Sequence, residues 1–187
     1  MIFVLVTIVE LIVIFLVLRF IYSFIKTVLI RISFINNLKQ TCNQHNFALK
    51  FNRSPLMSVF GIASKPDFTV KTRSKMYQVR FITCLYRKKA YHFVTPEHCI
   101  TYFDSLFDIP FAKIASDEKH FSQYHRYKAL KISEEDQNAA NILLFNPTPA
   151  VISSIDSNGK LMFGKDLAIG EYVAYDAPDF LKMLHRC

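Results

Sequence analysis

The stretch Met1–Leu18, MIFVLVTIVELIVIFLVL, constrains this chain more than any other. From Ile2 to Leu18 only Thr7 and Glu10 are polar. At about 1.5 Å of rise per residue the run covers roughly 25 Å, somewhat less than a ~30 Å hydrocarbon core. Apolar character resumes after Arg19 in Phe20, Ile21, Tyr22, Phe24 and Ile25, which supplies the missing length. The pattern predicts one spanning helix over residues 2–25, with Arg19 and Tyr22 at the headgroup level. A buried core helix and a cleaved secretory signal are the competing readings. The first rarely carries an apolar run this long. The second wants a basic start and a small-residue cleavage site, whereas here no Lys or Arg precedes the run and bulky residues follow it.

Charge predicts the orientation. Arg19, Lys26, Arg31 and Lys39 all follow the run, with no acid between them. The positive-inside bias then sets the N-terminus outside and the remainder in the cytosol. Glu10 is costly inside a bilayer unless it is neutral, reached by water or paired across a helix interface. It marks a candidate self-association or partner-helix contact, with a tolerated single polar residue as the alternative.

Three segments are expected: an anchor over 1–25, a basic juxtamembrane helix or linker over 26–45, and a soluble α+β domain over 46–187. Over residues 19–39, Arg19, Ser23, Lys26, Thr27, Ser33 and Asn37 share one helical sector, while Ile21, Phe24, Val28, Ile32 and Ile35 lie opposite. Such a helix can lie along anionic headgroups or run on and pack against the domain; the first is the expectation. The roughly 150 residues beyond it suffice for one core. Cys42, Cys84, Cys99 and Cys187 form no C-x-x-C pair, which excludes a zinc ribbon and a disulfide framework and suits a reducing compartment.

The domain reads as a mixed, mostly antiparallel sheet of about six strands with a few short helices. Phe47–Phe51 alternates as a half-buried strand, and Leu56–Ala63 reads as another. Asp67–Thr72 and Met76–Tyr86 form the clearest hairpin, the second strand being apolar on both faces at its end and therefore central. Ala90–Val94 continues the meander. Thr95-Pro96-Glu97 predicts the start of a helix over 98–107. Residues 108–140 are polar and give little beyond a capping signal at Ser133–Asp136. Asn141–Phe145 is a short buried strand. Val151–Asp156 and Lys160–Phe163 flank the hairpin turn Ser157-Asn158-Gly159. Glu171–Tyr175 is the last strand, and Asp176-Ala177-Pro178-Asp179 opens a C-terminal helix.

Charge is unevenly spread. Between Lys50 and Lys89 there are ten basic residues and one acid, Asp67, whereas Glu97–Asp136 holds eight acids and five bases. A basic surface of Lys71, Arg73, Lys75, Arg80, Arg87, Lys88 and Lys89 follows. It can face anionic lipid, face solvent, or bind nucleic acid phosphates. Pro66-Asp67 at the head of one hairpin strand and Gln78-Val79-Arg80 in the next resemble the core of the PD-(D/E)xK nuclease superfamily. The resemblance covers about twenty residues. It implies a small sheet flanked by helices, with Asp67 as a metal ligand of a phosphodiester-cleaving site. Gln78 stands where the second carboxylate belongs and Arg80 where the Lys belongs. Gln is a poor anchor for a hard cation and Arg does not deprotonate, so the implied copy is catalytically dead or recruits a carboxylate from elsewhere.

His92, His98 and Cys99, like His120 and His125, lack metal-site spacing and read as structural or surface residues. No catalytic dyad and no cofactor site are assigned. The expected function is a membrane-anchored interaction domain, non-enzymatic, bound to the bilayer through residues 2–25. A protein partner, a second copy or the anionic membrane surface are its further candidate partners. The alternative is a membrane-tethered, inactive nuclease-like domain that binds nucleic acid through the basic meander.

Overall fold

A computed structural model describes residues 2–52, 54, 66–84, 89–95, 98–103, 123–126, 139–155, 161–164 and 167–187. The chain is α+β. Helix α1, Ile2–His45, is continuous, and among the described residues eleven strands and a short helix, α2 (Ala177–His185), follow it.

Six strands form a mixed sheet in the order β1 (Ala48–Phe51), β2 (Phe68–Lys71), β3 (Met76–Thr83), β7 (Ala139–Asn146), β11 (Tyr172–Asp176), β10 (Leu167–Ile169). The β1–β2–β3 meander is antiparallel, and β7 lies parallel to both β3 and β11. A second sheet has the order β6 (Gln123–Arg126), β5 (His98–Phe103), β4 (Lys89–Thr95), β8 (Val151–Ile155), β9 (Leu161–Phe163). The expected mixed sheet of about six strands is present, and a second sheet accompanies it.

Period-two alternation sorts the first sheet's side chains between two cores. Val70, Tyr77, Val79, Phe81, Ile142 and Leu144 point at the helices, where they meet Phe34 and Leu38 of α1 and Phe180 and Leu184 of α2. Ile82, Leu143, Phe145, Tyr172 and Ala174 point the other way and pack on Tyr91, Phe93, Cys99 and Ile152 of the second sheet. The layers run helices, sheet, sheet. Strand β3 is buried on both faces, and its end, Phe81 and Ile82, is apolar on both, as its sequence predicts.

Helix α2 starts as expected. Asp176 caps it, its Oδ1 accepting the Asp179 N–H at 2.9 Å, and its Oδ2 accepts the Thr148 hydroxyl at 2.9 Å. The strands flanking Ser157–Gly159 pair antiparallel as the turn signal predicts. The turn itself lies outside the described residues, as do the strand expected at Leu56–Ala63 and the capping signal at Ser133–Asp136.

Two expectations are corrected. His98–Phe103 is strand β5, not a helix: Phe93 pairs with Cys99 and Tyr91 with Thr101 across a hairpin with β4. The β-branched and aromatic residues of His98-Cys99-Ile100-Thr101-Tyr102-Phe103 suit a pleated surface, and this outweighs the Thr95-Pro96 start signal. The segment 26–45 is no separate interfacial helix. It continues α1 without a break and buries Thr27, Arg31, Phe34, Ile35, Leu38, Thr41 and Cys42 against the domain.

Candidate functional site

The residues singled out by sequence converge on the β2–β3 hairpin, whose two ends differ in chemistry. At one end, Asp67 precedes β2. Its backbone N–H donates to the Val79 carbonyl at 2.8 Å, and its carboxylate Oδ2 accepts the Phe81 N–H at 2.7 Å. The side chain thus extends the ladder one step beyond the last paired residue of β2.

Arg31 of α1 reaches the same place from the helix layer. Its Nη2 donates to the Phe81 carbonyl at 2.8 Å and its Nε to the Thr83 hydroxyl at 2.7 Å, with the guanidinium 4.7 Å from the Phe81 ring centre. Asp67 and Arg31 divide the polar groups of Phe81 between them. Arg31 is 3% exposed. Burial lowers its pKa below the ordinary arginine value, and the nearby Asp67 carboxylate works in the opposite direction. The cluster fastens helix α1 to the sheet, and Asp67 serves it as an acceptor and counter-charge.

Gln78 and Arg80 lie on the face of β3 turned to the second sheet. Arg80 is 5% exposed, so it does not belong to a basic surface. Gln78 sits in one cross-strand row with Thr69, Asn141 and Tyr172. Gln78 Oε1 and Asn141 Oδ1 are buried without a hydrogen-bond partner among the described residues. Such a row can accept hydrogen bonds. Among the described residues no three His, Cys, Asp or Glu side chains come together as a metal site.

At the other end of the hairpin, the Thr72 hydroxyl closes the turn by donating to the Lys75 carbonyl at 2.9 Å and accepting the Lys75 N–H at 3.1 Å. Lys71, Arg73 and Lys75 are exposed around it. Ala48, the first residue of β1 after α1, pairs with Lys71, so this basic tip lies at the His45 end of α1 and away from Arg31. Arg87 and Lys88 lie outside the described residues, and Lys89 begins β4.

A pairing that the sequence did not disclose is His92 with Ser153. Partners on adjacent parallel strands, they bring Nδ1 and Oγ to 2.9 Å. Burial holds the His92 pKa below its ordinary value, so the ring is neutral at neutral pH. Ser153 is fully buried, which denies a substrate access to its hydroxyl. Sixty-one positions separate the two residues, and no short motif links them. His98 lies on β5 and His125 on β6 beside Cys99, while His120 lies outside the described residues.

Comparison of the chain with protein-family models, with curated proteins and with solved structures finds no match.

Proposed function

We propose that this chain is a single-pass membrane protein whose α+β domain is a non-enzymatic interaction module, held in the cytosol and offering its basic hairpin tip to an anionic partner. Helix α1 carries the reading. Its apolar side chains from Val6 to Ile25 are exposed, and its later turns belong to the domain core. Exposed apolar surface on this scale is out of place in water and at home in lipid. A helix that runs on into a core also suits a permanent anchor better than a removable signal.

The cytosolic side is supported by Arg19, Lys26, Arg31 and Lys39 following the span, and by four free cysteines. From Arg31 to His45 the helix climbs about 21 Å. That exceeds two screening lengths of about 8–10 Å, so lipid charge has little hold on Lys71, Arg73 and Lys75. Their partner is a soluble anionic surface.

Cys187 tests the orientation. Cys42, Cys84 and Cys99 are buried, and burial pushes the Cys42 thiol up to about 11, whereas Cys187 is exposed. In intact cells an impermeant maleimide should leave the protein unlabelled, and permeabilisation should then label it at Cys187, with the signal lost in Cys187→Ser. Labelling before permeabilisation would reverse the topology.

A second reading keeps the nuclease resemblance without the activity. What supports it is the Asp67–Val79 backbone bond, which sets Asp67 beside the Gln78–Arg80 segment. Its signature is salt-sensitive retention of DNA or RNA by the full-length protein in micelles, lost when Lys71, Arg73 and Lys75 are all changed to Glu. Retention that ignores the triple change removes the hairpin from this reading.

A further inference from the structure

We infer that the domain does not stand off from the membrane but is seated in its headgroup layer, with the Leu29–Ile32 face of α1 inserted at the bilayer interface. The inference rests on the anchor reading above and adds where the bilayer ends along α1.

From Thr27 onward opposite sides of α1 have different surroundings. Thr27, Arg31, Phe34, Ile35 and Leu38 are buried against the domain. On the outer side Leu29 is 60% and Ile32 43% exposed. Beyond them the exposed residues of α1 are Ser33, Asn36, Asn37, Lys39, Gln40, Asn43 and Gln44, all polar. The outward face therefore changes from apolar to polar between Ile32 and Ser33, one and a half turns inside the segment already docked on the domain. Arg31 does not interrupt the apolar side, because its guanidinium is turned inward to Phe81 and Thr83.

The distances agree. With the hydrocarbon boundary near Ile25, Leu29 lies about 6 Å and Ile32 about 10 Å further along the axis. The headgroup zone is about 5–7 Å deep on each side, and interfacial helices bury their apolar faces by about 5–10 Å. A tilt of about 20° lowers the outer face further. Arg19 lies about 9 Å inside the boundary, and its long stem can carry the charge most of the way out. The domain edge formed by Asp67, Phe81 and Thr83 shares the axial level of Arg31 and so borders the same layer.

The chain contains no Trp, so single Trp substitutions are unambiguous reporters. In full-length protein reconstituted into phosphatidylcholine–phosphatidylglycerol vesicles, Phe15→Trp, Leu29→Trp, Ile32→Trp and Asn36→Trp are compared. Lipids brominated high on the acyl chain should quench the fluorescence of Leu29→Trp and Ile32→Trp at least twofold, and acrylamide alone should quench Asn36→Trp. If acrylamide reaches positions 29 and 32 as readily as 36, the domain stands clear of the membrane and the inference fails. If both positions are shielded from acrylamide and from bromolipid alike, a second protein copy covers the face, and it fails in favour of a dimer. Absence of lipid quenching in Phe15→Trp would instead remove the anchor itself.

Discussion

Arg31→Ala should lower the stability of the domain by about 3 kcal/mol, as two hydrogen bonds from a charged group at roughly 1.5 kcal/mol each imply. The substitution removes donors to the Phe81 carbonyl and the Thr83 hydroxyl and takes the nearby positive charge from Asp67. It also empties the space over the Phe81 ring, where the guanidinium stacks at 4.7 Å. Arg31→Met fills much of that space without a charge to desolvate, and its loss should be the smaller of the two. The three buried thiols supply the measurement. In a Cys187→Ser background, Cys42, Cys84 and Cys99 become reactive only when the protein opens, so thiol labelling against denaturant gives the midpoint in micelles. An unchanged midpoint for Arg31→Ala would mean that the helix is held by its apolar contacts alone.

Phe145→Ala should cost about 4 kcal/mol, within the range for deleting a fully buried aromatic ring. Phe145 lies between the two sheets, with its centroid 5.1 Å from that of Tyr91 and 6.2 Å from that of Phe93, both in edge-to-face geometry. No helix residue belongs to this cluster, so the change strikes the sheet–sheet layer and leaves the helix–sheet layer intact. If the domain unfolds as one unit, Cys42 and Cys99, one in each core, should become reactive at the same denaturant concentration. Separate transitions would divide the domain into two cooperative units.

The anchor run, the hairpins and the capped C-terminal helix were legible because each rests on a local signal. Those signals are an unbroken apolar run, Asn158-Gly159, and Asp176 before Pro178. What escaped depends on pairing at long range. On the helical wheel Thr27 counts as polar and therefore outward, yet it is buried, as is Arg31, to which the sheet supplies an acceptor fifty positions away. Ile32 counts as apolar and therefore inward, yet it is exposed. Arg80 reads as surface charge for the same reason, since polarity alone does not reveal which face of β3 will be covered by a second sheet. That second sheet was itself hidden because β4 and β8, which pair side by side, are separated by fifty-five residues between which no motif points from one to the other. The position of Asp67 and of Lys71, Arg73 and Lys75 at the two ends of one hairpin was legible, and the pairing of His92 with Ser153 was not.

Helix α1 passes from its exposed apolar turns into the domain core without a break, and this sets how the protein can meet others. A module on a flexible tether of n residues searches a volume of radius about 5–6 Å × √n. Here the tether length is zero. If α1 spans a bilayer as proposed, the basic tip is held at one height above it, and its remaining freedoms are lateral diffusion and rotation about the membrane normal. A partner arriving from solution meets a surface already oriented, so no tether entropy opposes the encounter. A partner fixed to the same membrane must carry its acidic surface at the matching height, and a few ångströms of mismatch cannot be absorbed by slack in the chain.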